Sequence, residues 1–352
     1  MGILLFIRCP VISDEPIYDG KLRLSVIIPA RNEAANLANL LMDLENQIKS
    51  VYEILCVDDE SEDATAQVAA DHGVKVITIK EKPEGWTGKS WACQCGARKA
   101  TGDVYLFLDA DVRLSRDAIG RLEGAYQKHG CIISVQPFHH VKKYYEQLSL
   151  FFNLILIAAN GLGSPFKNKG IGLFGPAILI SRAHYNAIDG HVSVKESIVE
   201  DLDFGQMLTN KGIGYRLLLG ADDIRFSMYT EGMNQLIEGW SKNFATGAGR
   251  TSPYLLFMII LWLGALTSSA SLFFGAMAGD FAWISVFYAF LYLIGVLQVG
   301  IFSSRIGSFR KTAILFYPIA LLGFYFIFIL SMIKKHFYKK VTWKGREIAL
   351  RR

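Results

Sequence analysis

Apolar residues along the chain fall into two regimes. Up to about Thr251, short runs of strand-forming residues alternate with stretches in which apolar positions recur at helical spacing; from Tyr254 to Ile333 they run almost unbroken. In the first regime Leu24-Ser-Val-Ile-Ile-Pro29 reads as a short buried strand ended by its proline. Residues 34–48 place Leu37, Leu40, Leu41, Leu44 and Ile48 on one helical face. Tyr52-Glu-Ile-Leu-Cys-Val57 is a second strand, closed by Asp58-Asp-Glu-Ser61, and residues 74–79 give a third. Between them Asp63 is placed to cap a helix that stops at His72-Gly73. Strands alternating with helices of about a dozen residues predict βαβ units, right-handed crossovers and a parallel sheet.

The most informative strand is Val104-Tyr-Leu-Phe-Leu-Asp-Ala-Asp-Val112, an unbroken apolar run ending in Asp109 and Asp111 after the helix stop and turn Ala100-Thr-Gly-Asp103. Ligands of open α/β sheets sit in the crevice at the carboxyl ends of the strands. Carboxylates at i and i+2 of an irregular turn can both aim oxygen at one hard divalent ion, so a metal-bound diphosphate fits that crevice. Upstream, the charged loop 80–87 leads to Gly88-Lys89 at the mouth of a helix over 90–100. A helix N-terminus with a lysine beside it is a natural seat for phosphate; a solvated lysine in a first turn reads equally well from that feature alone.

Beyond Asp111, Ser115 is a candidate cap for a helix reaching Lys128, and residues 131–135 form another strand. Residues 144–159 form an apolar-aromatic helix too short to span a bilayer, so they are either core or a surface lying on a membrane. The glycine-rich stretch 170–181 lacks a phosphate-loop lysine and the dinucleotide spacing; its glycines suit close backbone approach to an acceptor. Ser197-Ile-Val-Glu-Asp-Leu-Asp-Phe204 then places three carboxylates within four residues. They read either as a capped surface helix or as the source of a general base.

Three apolar blocks follow, 254–278, 281–302 and 312–333, each about the length a helix needs to cross the hydrocarbon core. Gly279-Asp280 forces the first two into a tight hairpin. Arg305, Arg310 and Lys311 place the second linker on the cytoplasmic side with the globular part. A full crossing by the third block would leave the basic tail outside, so Pro318 and Gly323 are expected to break it or make it re-entrant.

Composition sharpens this picture. Hydrophobic residues make up 51%, charged residues 20%, and the mean hydropathy is +0.27. That excess belongs to a membrane-attached protein and sits in the last third. The net charge of +5 is concentrated after residue 333, which suits an anionic leaflet; no basic stripe interleaved with aromatics marks a nucleic-acid partner. Cys9, Cys56, Cys93, Cys95 and Cys131 are odd in number and give neither a disulfide framework nor a zinc knuckle, so they read as small core residues in a reducing compartment. The expected organisation is an N-terminal segment, 1–21, at most an interfacial anchor; a catalytic domain, 22–250; a membrane domain, 251–333; and a basic tail, 334–352.

Ser25-Val-Ile-Ile-Pro-Ala-Arg-Asn-Glu33, Val57-Asp-Asp-x-Ser61, Gly88-Lys89, Leu108-Asp-Ala-Asp111 and Glu200-Asp201, in this order, resemble the family 2 glycosyltransferases with a GT-A fold. More narrowly, Ser134-Val-Gln-Pro-Phe-His139, Phe174-Gly-Pro176, Glu238-Gly-Trp-Ser-Lys242 and Val341-Thr-Trp-Lys-Gly-Arg346 resemble the carotenoid-acid (diaponeurosporenoate) glycosyltransferases; hopanoid-associated glycosyltransferases share some of these. The resemblance implies an α/β GT-A nucleotide-sugar-binding domain, a mostly parallel sheet with flanking helices, followed by C-terminal transmembrane helices. By position it implies Ala30, Arg31 and Glu33 lining a uridine pocket, Asp58 or Asp59 bonding the base or ribose, and Lys89 against the diphosphate. Asp109-Ala110-Asp111 would hold the sugar nucleotide, its two carboxylates through Mg²⁺ or Mn²⁺. Asp201 would be the base beside Glu200, and Gly175, Pro176 and Trp240 would face the acceptor; Trp240 reads equally well as an aromatic anchor at a membrane interface.

Two departures stand out. Glu60 replaces the glycine usual in the Asp-Asp-Gly-Ser turn. In place of the Gln-x-x-Arg-Trp signature of processive synthases stands Gln235-Leu-Ile-Glu-Gly-Trp240, which implies single transfer. The implied activity is transfer of a hexose, glucose first, from a UDP-sugar to an apolar acceptor, by a multi-pass cell-membrane protein with its catalytic domain facing the cytoplasm. A carotenoid acid leads as acceptor; polyprenyl phosphate, hopanoid and glycerolipid stay open, as does a tethered nucleotide-binding protein without turnover.

Overall fold

Strand β1 (Leu24–Ala30) is apolar at almost every position because both of its faces are covered. In the computed structural model it pairs in parallel with β2 (Glu53–Asp58) on one side and β4 (Val104–Leu108) on the other. Strand β3 (Lys75–Thr78) pairs in parallel outside β2. The chain therefore winds outward from β1 in one direction and then resumes on β1's other side, which opens a crevice at the carboxyl ends of β1 and β4. The structure describes residues 2–165, 170–197, 199–277, 282–334, 336, 340–343 and 346–349.

Strand β5 (Val112–Leu114) leaves the sheet after the Asp109 turn, and β6 (Ile132–Gln136) rejoins it; β7 is the short Phe138–His139. Strand β8 (Ala177–Ser181) runs antiparallel between β4 and β6, and β9 (Tyr215–Leu219) lies parallel to β6 at the edge. The seven-stranded order is β3-β2-β1-β4-β8-β6-β9. The reversal at β8 has a consequence for the site: Pro176, just before β8, lies beside Asp109, just after β4. Strand β10 (Ile224–Phe226) pairs antiparallel with β5.

Two compact units divide the chain. One comprises Pro10–Phe138 and Gly172–Ser227; the other comprises Met1–Cys9, His139–Ile171 and Met228–Arg352. In the first, helix Ala34–Glu45 buries Leu37, Leu40, Leu41 and Leu44 as its periodicity requires. Ile48 does not join them and is 67% exposed. The helix stops at Glu45, Asn46 folds its amide back on the Met42 carbonyl, and the face is lost before Ile48. Two expected caps also differ. Ser115 donates its hydroxyl to Asp223 rather than capping helix Ala118–His129. Asp63 accepts from the Thr65 N–H at the start of helix Thr65–Asp71 but also from the Ala34 N–H, so it ties two helices together.

In the second unit, helix Leu150–Ala159 is core: Leu150, Phe151, Phe152 and Leu154 are fully buried, which decides between the two readings of that stretch. Helices Pro253–Ala276 and Ala282–Ser303 are long and apolar enough to cross a membrane by length and composition. They pack together through stacked Phe273 and Tyr292, ring centroids 4.8 Å apart. Their connection, where a Gly279-Asp280 turn is expected, lies outside the described residues. The third block is in two pieces, Lys311–Leu315 and Tyr317–Ile333, parted at Phe316 with Pro318 in the first turn of the second piece. Gly323, the other expected interruption, sits inside the helix. At 17 residues the second piece is about 25 Å long, short of the ~30 Å hydrocarbon core. The N-terminal helix Gly2–Phe6 buries Leu5 and stacks Phe6 on Phe302 at 4.5 Å.

Candidate active site

The first wall of the crevice is made by the loops after β1 and β2, which are stitched to each other. The Asp59 N–H donates to the Ala30 carbonyl, and Arg31 Nη1 donates to the Asp59 carbonyl, each at 2.9 Å. Asn32 receives the Glu62 N–H on its Oδ1 and donates its own N–H to Ser61 Oγ. The Glu33 N–H goes to Thr65 Oγ1, and Asp58 Oδ1 accepts from the Ser61 N–H. Ala30, Asp58 and Asp59 are buried by this arrangement, so the two loops form one rigid rim.

Glu60 takes φ +55°, the left-handed conformation a glycine would adopt, so the departure from the family's usual residue leaves the turn's backbone course intact. That conformation costs a non-glycine residue about 1 kcal/mol, and the partly exposed Arg31–Glu60 ion pair at 3.7 Å returns little of it. Glu60→Gly is expected to raise stability by about 0.5 kcal/mol once glycine's extra unfolded-state freedom is counted, as read by denaturant unfolding. A clear loss would show that the Glu60 side chain holds the rim.

At the centre stands Lys89. Thr87 caps helix Gly88–Lys99, its side chain accepting from the Ser90 N–H, and this sets Lys89 in the first turn. Its Nζ lies 2.7–2.8 Å from both oxygens of Asp109 and 3.7 Å from Glu200 Oε1. Burial works against the Lys89 charge, but Asp109 and then Glu200 outweigh it and hold the ammonium well above the usual lysine range.

Glu200 and Asp201 open helix Glu200–Asn210, where the positive helix end suits carboxylates. Asp201 Oδ1 accepts from the Leu202 N–H at 3.0 Å. The loop before β8 is pressed against this first turn: the Leu173 N–H donates to the Asp201 carbonyl, and Phe174 exchanges two hydrogen bonds with the Ser134 hydroxyl. A Cβ on Gly172 would come within 2.3 Å of the Leu202 backbone, and one on Gly175 within 3.0 Å of Asp201 Oδ2. The expected close backbone approach at these glycines is thus made to the helix carrying Asp201. The same loop reaches Asp109, whose N–H donates to the Pro176 carbonyl at 2.9 Å. Burial first, then the neighbouring Glu200, pushes the Asp201 carboxyl up to about 6, with Lys89 pulling the other way. Asp203, the third carboxylate of the motif, accepts from the Ser197 hydroxyl and secures the loop into the helix.

The turn after β4 carries Asp109, Ala110 and Asp111 and is closed by the Val112 N–H on the Asp109 carbonyl. Ala110 is buried, while both carboxylates stand partly open to solvent. Lys89, Asp109, Glu200, Asp201, Gly175 and Pro176 are therefore brought together. Trp240 lies in the other unit, 7% exposed, stacked on Phe152 at 4.7 Å with its indole N–H on Ser149 Oγ. Sequence reasoning singled out neither Asn32 of the rim nor the buried Gln94, Tyr185 and His191 behind the site. No motif or periodicity marks Gln94, Tyr185 and His191, whose roles come from contacts between distant segments, whereas Asn32 lies inside the Ser25–Glu33 motif with no role assigned to it there.

A mostly parallel sheet with an acidic turn at its switch point, faced by a lysine and a second acidic helix end, is the GT-A arrangement of glycosyltransferases. Residues 25–179 match the family model described as glycosyl transferase family 2. The 4,4'-diaponeurosporenoate glycosyltransferase of Staphylococcus haemolyticus (strain JCSC1435) is 33% identical over 360 residues, spanning 99% of this chain and 95% of the relative. The protein of that name from Staphylococcus aureus (strain N315) is 33% identical over 357 residues, with coverage of 99% and 94%. This chain belongs to glycosyl transferase family 2 and is a glycosyltransferase. Among solved structures, the mannosyltransferase PcManGT from Pyrobaculum calidifontis, in complex with GDP-Man and Mn²⁺, shares the fold. The match has a TM-score of 0.53 and 16% identity over 93% of this chain and 90% of that one.

Proposed function

We propose that this glycosyltransferase moves a hexose, glucose first, from a UDP-sugar to a carotenoid acid or similarly apolar acceptor in the cell membrane, once per acceptor and with inversion. The observation that carries the proposal is the convergence of Asp109, Glu200 and Asp201 on Lys89 at the sheet's switch point. Identity to the diaponeurosporenoate enzymes over nearly the whole chain supports the acceptor class. The apolar helices Pro253–Ala276 and Ala282–Ser303 support a multi-pass membrane residence. The basic linker between the second and third blocks hydrogen-bonds to His139 and Gln147, in the segment that follows β6 in the chain. The positive charge of Arg305, Arg310 and Lys311 supports a cytoplasmic position for that linker. The break at Phe316 favours a third block that does not cross fully, so that the basic tail also returns to the cytoplasm.

In this reading Ala30, Arg31, Glu33, Asp58 and Asp59 form the uridine rim, and Lys89 supplies positive charge beside the diphosphate. Gly175 and Pro176 border the acceptor side, where Asp201, with Glu200 beside it, takes the proton of an attacking hydroxyl. Asp109 and Asp111 fit a divalent cation in that one turn offers two hard carboxylates, both partly open to solvent, with Asp109 paired to Lys89 in this structure. That donor set suits an Mg²⁺ or Mn²⁺ ion that takes its remaining ligands from water and substrate phosphates. Such an ion, when bound, neutralises charge on the leaving diphosphate. An acceptor oxygen seated beside Asp201 attacks the anomeric carbon opposite the diphosphate, so configuration inverts.

The test is a screen of UDP-sugars against carotenoid acids and other membrane lipids with the full-length protein in mixed micelles, products identified by mass. A glucosyl ester formed only with Mg²⁺ or Mn²⁺, and lost in Asp109→Asn, is the expected result. Transfer to polyprenyl phosphate or hopanoid alone would replace the acceptor, and absence of any UDP release would overturn the proposal.

A further inference from the structure

Behind the site, three polar side chains without a part in the chemistry above form one buried cluster. We propose, resting on the transferase reading, that Tyr185, His191 and Gln94 are positioning residues that hold the Lys89, Asp109 and Asp201 segments in register for sugar transfer. Each of those segments contributes one side chain to the cluster. Gln94 belongs to helix Gly88–Lys99, Phe107 precedes Asp109 by two residues in β4, and Phe204 follows Asp201 by three in helix Glu200–Asn210. His191 touches all three. Its N–H donates to Gln94 Oε1 at 3.1 Å, and its ring lies 4.9 Å from Phe107 and 5.1 Å from Phe204.

Tyr185, on helix Arg182–Ala187 after β8, closes the network. Its hydroxyl donates to Gln94 Oε1 at 3.0 Å and lies 2.9 Å from His191 Nδ1; its ring packs 5.4 Å from Phe107 and 6.2 Å from Phe204. The tyrosine has a single hydroxyl hydrogen and gives it to Gln94, so Nδ1 of His191 is assigned as the donor to Tyr185 Oη. Burial first, and then the Lys89 charge, lowers His191 to about 3, so the imidazole is neutral at working pH and does not repel Lys89. A buried hydrogen-bonded network of this kind fixes the relative placement of the elements it joins. Displacement of a reacting group by about 1 Å can cost on the order of a hundredfold in rate.

The experiment uses the full-length protein in mixed micelles with UDP-glucose, a carotenoid acid and Mn²⁺. Tyr185→Phe keeps the ring and deletes the hydroxyl; it is expected to lower kcat about tenfold while KM for UDP-glucose stays within about twofold and the melting temperature moves by only a few degrees. His191→Asn keeps a donor near the place of Nδ1 and is expected to retain more kcat than His191→Leu. Unchanged kcat in both Tyr185→Phe and His191→Leu, with active wild type, overturns the positioning role. So does a loss that tracks melting alone and disappears on cooling. An inactive wild type instead overturns the transferase reading on which the proposal rests.

Discussion

Asp201→Asn is expected to lower transfer to an alcohol acceptor by about 10²–10⁴-fold, the usual contribution of a positioned general base. Transfer to a carboxylic acid should fall far less, because such an acceptor is already ionised near neutrality and needs no proton removed. The pH dependence separates the two further. In the proposed role Asp201 acts as a base when ionised, and burial with Glu200 beside it holds its carboxyl up at about 6. Alcohol transfer should therefore rise as pH climbs through about 6 and level off above it, while ester formation lacks that limb. The stability effect has the opposite sign. Between the ordinary 3.8 and about 6 the folded chain holds this proton more tightly than the unfolded chain, so the group's contribution is fullest below that window and is lost as pH rises through it. Above pH 6 the asparagine variant should melt at or above the wild-type temperature even as it loses activity. Product formation with paired alcohol and acid acceptors between pH 5 and 8, alongside melting curves, measures all three; equal loss with both acceptors would contradict the assignment.

Much of the catalytic unit was legible because its strands are buried on both faces and its ligand edge is punctuated by acidic turns. Leu24–Ala30, apolar but for Ser25, and the unbroken apolar run Val104–Leu108 declare themselves as buried strands, and the carboxylates after them mark the crevice. Element ends were less legible: helix Ala34–Glu45 stops before Ile48 because Asn46 bonds back to Met42, a local competition that the hydrophobic period does not record. Side chains expected as simple caps serve longer-range contacts, Ser115 with Asp223 and Asp63 with Ala34. The short apolar helix Leu150–Ala159 could not be assigned from its composition, since core and membrane surface select the same residues; burial decides it. The Gln94–Tyr185–His191 network was invisible because its members are ordinary residues up to 97 positions apart.

Lys89→Met should be strongly damaging, and it should act twice. If Lys89 stands beside the diphosphate of UDP-glucose as proposed, the variant loses that cation, so KM for UDP-glucose should rise and turnover fall, together by about a hundredfold or more. It also removes the charge that holds down the carboxyl of Asp201. With burial and Glu200 unopposed, the pH limb of residual alcohol transfer should move above the wild-type position near 6. Lys89→Arg keeps a positive charge, but a planar fork cannot reproduce a compact ammonium set between Asp109 at 2.7 Å and Glu200 at 3.7 Å, so partial activity with a smaller shift is expected. A readout independent of turnover follows from the same charges. Without Lys89 the carboxylates of Asp109, Glu200 and Asp201 repel one another, and Mn²⁺ should raise the melting temperature of Lys89→Met by more than it raises that of wild type. A pH limb that stays in place, with no added response to Mn²⁺, would mean that Lys89 does not govern the charge balance of this site.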